Sequence, residues 1–247
     1  MVNLKIFKNW NRRDLFKTLF KNIFLIIGIA FLFYGSVFAA IPGLILLIPM
    51  MKKDREKSEK KKKMRFALEF REALRSMRTA MHSGYSIENA MIEAIDDLVS
   101  IYGSQAMIVS EFRYMENQLH IQIPVEKIWH ECAIRTDVEE VRNFSDVFQI
   151  AKRTGGDMIS IMDHACRTIS EKLEVSNELE TVMASKKMEW KIMTLIPFFI
   201  ILYMKISFPE FMNEMYGNLT GILVMTGALL LMAIAFFIGE KITDIEV

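Results

Sequence analysis

Two histidine–cysteine pairs, His130-x-Cys132 and His164-x-Cys166, are the residues of this chain whose types suggest metal chemistry. Their spacing argues against it. On an α-helix, positions i and i+2 stand about 200° apart around an axis of 3.6 residues per turn, so neither pair closes on one ion. They read as core or surface residues. Gly155-Gly156-Asp157 has the glycines of a phosphate-cradling loop, but an acid at a helix start repels phosphate and suits a cap. No G-x-x-x-x-G-K-[ST] or G-x-G-x-x-G motif occurs. The paired acids Asp96-Asp97 and Glu139-Glu140 read as solvated helix faces, and no nucleophile–base arrangement can be built from spacing alone. The expectation is a protein that is not an enzyme, with no catalytic residue, no cofactor and no metal ligand.

One further residue invites a functional reading. Lys205 is the single charged side chain in the apolar run of residues 192–208. Charges inside a membrane span are functional candidates by default, but Lys205 lies a few residues from the end of the run, where its long side chain can snorkel. The 19 methionines fall mostly in apolar stripes and read as core filling rather than as an adaptable binding surface.

The elements that must carry these residues follow from composition. In 247 residues there are 31 Lys+Arg against 30 Asp+Glu, with 52% apolar and 25% charged residues, and the mean hydropathy is +0.22. Disordered, collagen-like and disulfide-stapled chains are excluded. A chain this charged averages apolar only if the two kinds of residue are segregated. Residues 22–51 and 222–238 carry no charge, which predicts an integral membrane protein with a large polar middle. The expected divisions are a basic amphipathic segment (1–21), a transmembrane or re-entrant hairpin (22–51) and a polar domain (52–191). A membrane helix (192–208), a short extracytoplasmic linker (209–220), a second membrane helix (221–238) and a cytoplasmic tail (239–247) follow.

Basic residues on both flanks of residues 22–51 keep both ends inside, so the block is expected to turn back near Gly35-Ser36 or Pro42-Gly43. Its arms of about 15 residues are short of the roughly 20 that span hydrocarbon, so a single tilted helix remains an alternative. The block is longer than a signal-peptide core and is read as a retained anchor. The linker contains Glu210 and Glu214 but no Lys or Arg, so it faces outward and the polar domain lies in the cytoplasm. There, Cys132 and Cys166 stay reduced.

The polar domain is predicted to be helical throughout. Ile87, Ala90, Met91, Ala94, Ile95, Leu98, Val99 and Tyr102 trace one helix face, as do Phe66, Phe70, Leu74, Met77 and Met81 before them. Gly84 separates the two runs, with Ser86 as N-cap; Gly103-Ser104 ends the second; Pro124 suits the first turn of another helix. Asp137-Val138-Glu139-Glu140 has the form of a capping box. Thr154-Gly155-Gly156-Asp157 reads as helix end, left-handed turn and new N-cap. The stripe Met158, Met162, Cys166, Ile169, Leu173 then continues without a breaker toward Lys191. Six helices, beginning near Met64, Ile87, Gln105, Val125, Val138 and Met158, with short loops, predict an antiparallel bundle. Charge divides within the domain: residues 52–78 hold 12 basic and 5 acidic residues, residues 79–180 hold 8 and 18. That is a collar for anionic lipid beneath an acidic body able to dock a basic partner.

In this order and spacing the basic juxtamembrane stretch, FREALRSMRTAMHSGYSIENAMIEAI, FSDVFQIAKRTGGDMISIMDHACRTI, MASKKMEWKIMTLIPFFIILYMKISFPEFM and the terminal KITDIEV resemble the type II secretion system F domain family. Within it, they are similar to the TadB-type branch of tight-adherence (Flp, type IVc) pilus assembly. The resemblance rests on Gly84 and Ser86, on Arg153, Gly155, Gly156 and Asp157, on Pro197 and Pro209, and on the Ile-Glu-Val ending. It implies an all-α inner-membrane platform, multi-pass, without enzymatic activity. The implied partners are a hexameric secretion ATPase, pilin subunits, membrane lipids and a TadC-like F-domain partner or further copies of the chain, with no nucleic acid. A small-solute transporter or channel is the rival class, and it would need polar residues lining a path that the apolar runs scarcely offer.

Overall fold

The computed structural model describes residues 12–36 and 47–243. Every regular element among them is an α-helix: α1 Arg12–Tyr34, α2 Leu47–His82, α3 Ile87–Tyr102, α4 Met107–His120, α5 Val125–Thr136, α6 Glu139–Thr154, α7 Met158–Ser207, α8 Pro209–Gly217 and α9 Leu219–Thr243. The described chain falls into two compact units, Arg55–Glu174 and a second made of residues 12–36, 47–54 and 175–243. The backbones of α2 and α7 both run from one unit into the other.

In the first unit the predicted stripes are the buried faces. Ala90, Met91, Ala94, Ile95 and Leu98 of α3 are buried, as are Phe66, Phe70, Leu74 and Met77 of α2. The core centres on Trp129 of α5. Its ring meets Phe70 at 5.9 Å, Phe112 at 6.0 Å, Phe144 at 4.9 Å and Phe148 at 6.3 Å. Edge-to-face packing of this kind adds to the burial of large apolar area. Met162, Ile169 and Leu173 close the same core from α7. Beyond Leu173 no side chain of residues 174–191 is buried, so the packed part of α7 ends well before Lys191.

Local signals account for several helix ends. Ser86 Oγ accepts the backbone N–H of Asn89 at 3.3 Å, and Asp157 Oδ1 accepts that of Ile159 at 3.0 Å. Gly84 and Gly155 adopt φ of +93° and +72°, values that side chains with a Cβ rarely take. Two expectations are corrected. The first helix of the polar domain starts at Leu47, not near Met64, because the Lys-rich stretch is built of good helix formers and contains no breaker. Asp137 does not open a capping box either: it ends α5 with φ of +52°, and Val138 stands at the N-cap of α6. The Asp137 carboxylate instead accepts from Lys63 at 2.9 Å and Arg142 at 3.1 Å, while Glu140 pairs with Lys172 at 2.8 Å.

In the second unit two helices are long and apolar enough to cross a membrane, α7 and Leu219–Gly239 within α9; Thr18–Tyr34 of α1 is a shorter apolar stretch. The most apolar window of α7 is 0% buried, which is not how the core helix of a soluble protein packs. Helix α1 is continuous across residue 22, so the basic residues Arg12 to Lys21 and the apolar run belong to one element. It ends at the Gly35-Ser36 break. The other predicted turn, Pro42-Gly43, and the Ile-Glu-Val ending lie outside the described residues. The linker after residue 208 is not extended: Pro209 starts the short helix α8 at its first position, where its missing N–H costs nothing. Buried Asn22 is satisfied by Asp54, Nδ2 donating to Oδ2 at 3.2 Å.

Candidate functional site

The two turns singled out in the polar domain are brought together. Lys152, in the last turn of α6 beside Arg153, reaches Glu88 of the first turn of α3 at 3.5 Å and Glu126 of α5 at 3.1 Å. Gly156 packs closely here, since a Cβ on it would sit 3.1 Å from Ala151 Cβ. Arg153 stands exposed. Pro197, inside α7, and Pro209 belong to the other unit. Of the motif residues, Ser86 and Asp157 cap helix starts and Gly84 and Gly155 turn the chain at helix ends.

The histidine–cysteine pairs split as helical geometry requires. His130 is exposed while Cys132 is buried, and His164 is exposed while Cys166 is half-buried. No cluster of three or more His, Cys, Asp or Glu side chains suited to a metal ion occurs among the described residues. Burial, with the neighbouring Glu111 carboxylate, pushes the Cys132 thiol well above its ordinary range. Burial raises Cys166 too, though Arg78 opposes it. Both thiols are therefore poor nucleophiles.

Lys205 is held within its own unit. Its Nζ donates to the Phe31 carbonyl at 2.9 Å and stands 3.5 Å from the centre of the Phe31 ring. Tyr216 donates its hydroxyl to the Leu32 carbonyl. Both carbonyls belong to the last turn of α1, where a cation and a donor are both favoured; that of Phe31 also accepts the Gly35 N–H at 3.2 Å. Lys205 thus serves as a helix-end anchor, a role its position in the sequence did not reveal.

Surface ion pairs make the first unit pH-sensitive at both extremes. A backbone hydrogen bond at the start of α5, joined by Lys152, holds the Glu126 carboxyl below its ordinary 4.5 against the opposing effect of burial. Its stabilisation is present above that value and is lost as pH falls through the depressed one. Hydrogen bonds donated by Lys172 to Glu140 and then to Glu139 raise it above 10.5 despite partial burial, so its contribution is present below 10.5 and is lost as pH rises through the raised value. Thermal unfolding of the full chain in detergent, followed across pH, should show Glu126→Gln lowering the midpoint at neutral pH, the difference from wild type vanishing as pH falls through the depressed Glu126 range. Lys172→Met should also lower it at neutral pH, the difference vanishing as pH rises through the raised Lys172 range. Because both groups are partly exposed, each effect is expected within about 1 kcal/mol.

A feature that spacing alone did not bring forward lies between α2 and α7 in the first unit. Arg71, Arg75 and Arg78, with Asp163, Cys166, Arg167 and Ser170, line a cleft of about 400 Å³. The legible signal was three arginines at i, i+4 and i+7 on α2. Comparison of the chain with family models, with characterised proteins and with solved structures gives no match. The site is therefore read from its own geometry.

Proposed function

We propose that the chain is a non-enzymatic platform of the bacterial inner membrane in a tight-adherence (Flp) pilus or type II-like secretion machine. Its helical polar domain sits in the cytoplasm as a six-helix antiparallel bundle, between N- and C-terminal membrane segments. There it engages a hexameric secretion ATPase, while the apolar helices and lipid-facing surface serve pilin leaving the bilayer. A TadC-like partner or further copies of the chain complete the platform.

One observation carries this reading. Helix α7 is assigned as one helix of 50 residues, its first part packed into the polar unit and its last part, which carries Pro197, apolar and unburied. A helix of this kind transmits movement from a cytoplasmic motor to a membrane segment. Ser176 lies just past the last buried residue, Leu173, so Ser176→Pro interrupts the rod with little effect on core packing. Membrane insertion should persist while pili are lost, and Ser176→Ala should assemble them normally. Normal pilus numbers with Ser176→Pro would refute the coupling.

A further inference from the structure

We propose that the arginine-lined cleft between α2 and α7 binds a phosphate group, carried by a small soluble ester or by an anionic lipid headgroup. Arg71, Arg75 and Arg78 fall within an arc of about 60° on α2, and Arg167 faces them from α7 with Ser170 one turn on. Four guanidinium groups and one carboxylate, Asp163, line a space of about 400 Å³, a size that suits a small ligand.

The choice of cation is informative. Within residues 52–63 seven of the eight basic residues are Lys, whereas every basic residue of residues 64–78 is Arg. Generic attraction to a charged surface is met by Lys; repeated Arg supplies planar forks that match phosphate oxygens in pairs. A carboxylate offers two oxygens, but a phosphate offers three or four and so accepts from two forks at once.

The arginines divide into held and open members. Arg71 donates to Glu72 through Nε and Nη2, at 3.1 and 2.7 Å, and to Ser170 at 3.3 Å. Arg78 is paired with Asp163 across the cleft, yet its Nε is shut off from solvent with no acceptor. Arg75 reaches only Glu72, at 3.6 Å. Arg167 is exposed and makes no ion pair or hydrogen bond with the described residues. Two forks are thus fixed in place and two remain open to an anion.

The test uses the full chain in phosphatidylcholine nanodiscs, titrated with inorganic pyrophosphate at constant ionic strength and followed by thermal midpoint and calorimetry. A saturable upward shift is expected. Arg167→Gln and Arg75→Gln should each weaken the apparent affinity about tenfold or more, with the ligand-free midpoint unchanged. Arg167→Lys should keep only part of the response, because it retains charge without the fork. A parallel arm replaces the lipid with phosphatidic acid. An Arg167-dependent response confined to that arm assigns the site to a headgroup, and one in phosphatidylcholine assigns it to a soluble phosphate ester. A response matched by sodium chloride, unaffected by both Gln variants, or seen with a polyglutamate peptide but with neither phosphate source, overturns the proposal.

Discussion

Trp129→Ala should cost the polar helical unit about 3–5 kcal/mol, a large share of what a domain of this size possesses. Trp129 is fully buried and touches aromatic rings from α2, α4 and α6, so its removal opens a cavity where most of the unit's helices meet. Relaxation cannot close such a space without moving Phe70, Phe144 and Phe112 together. Trp129→Phe should be far milder, about 1 kcal/mol or less, because it keeps a ring and also removes an indole N–H that is buried without an acceptor. Hydrogen exchange of the α5 and α6 amides in the full chain measures both. Similar losses for the two variants would show that ring packing at this point is not what holds the unit.

Arg135→Met should destabilise by a comparable 3–5 kcal/mol, for a different reason. Arg135 of α5 is paired with Glu111 of α4, whose side chain is only 6% exposed, and its guanidinium lies 4.4 Å from the centre of the Tyr114 ring. Glu131 adds a longer contact at 3.7 Å and accepts from Gln118 at 2.7 Å. Without Arg135, Glu111 is left as a buried charge with Glu131 nearby, and it must protonate or draw in water. Replacing both partners, as Glu111→Leu with Arg135→Met, should recover most of the loss, since the desolvation cost disappears with the charges. Chemical unfolding of the three variants measures this. A double variant as unstable as Arg135→Met alone would mean that packing of the long side chains matters more than their charge.

Apolar periodicity made the buried faces of α3 and of the start of α7 readable, because a helix that buries one face must repeat its apolar residues near every 3.6 positions. Caps at Ser86 and Asp157 were equally readable, since those side chains satisfy backbone groups within their own turn. Asp137 was not. Its neighbours in sequence favour a capping box, but Lys63 and Arg142 offer it charge-assisted partners, and Lys63 lies 74 residues away. The boundary of the packed unit at Glu174 was equally hidden, because α7 continues through it without a change in helical propensity.

What the linear chain determined is the helical character of its elements and the separation of apolar runs from charged ones. Both depend on periodicity, local capping and hydropathy, which neighbouring residues settle among themselves. Only the tertiary structure decided which distant groups meet: Lys205 with the end of α1, Arg135 with Glu111, and four arginines of two helices around one cleft. Those pairings depend on how helix faces pack across long stretches of chain, and spacing along a single helix carries no record of the face opposite.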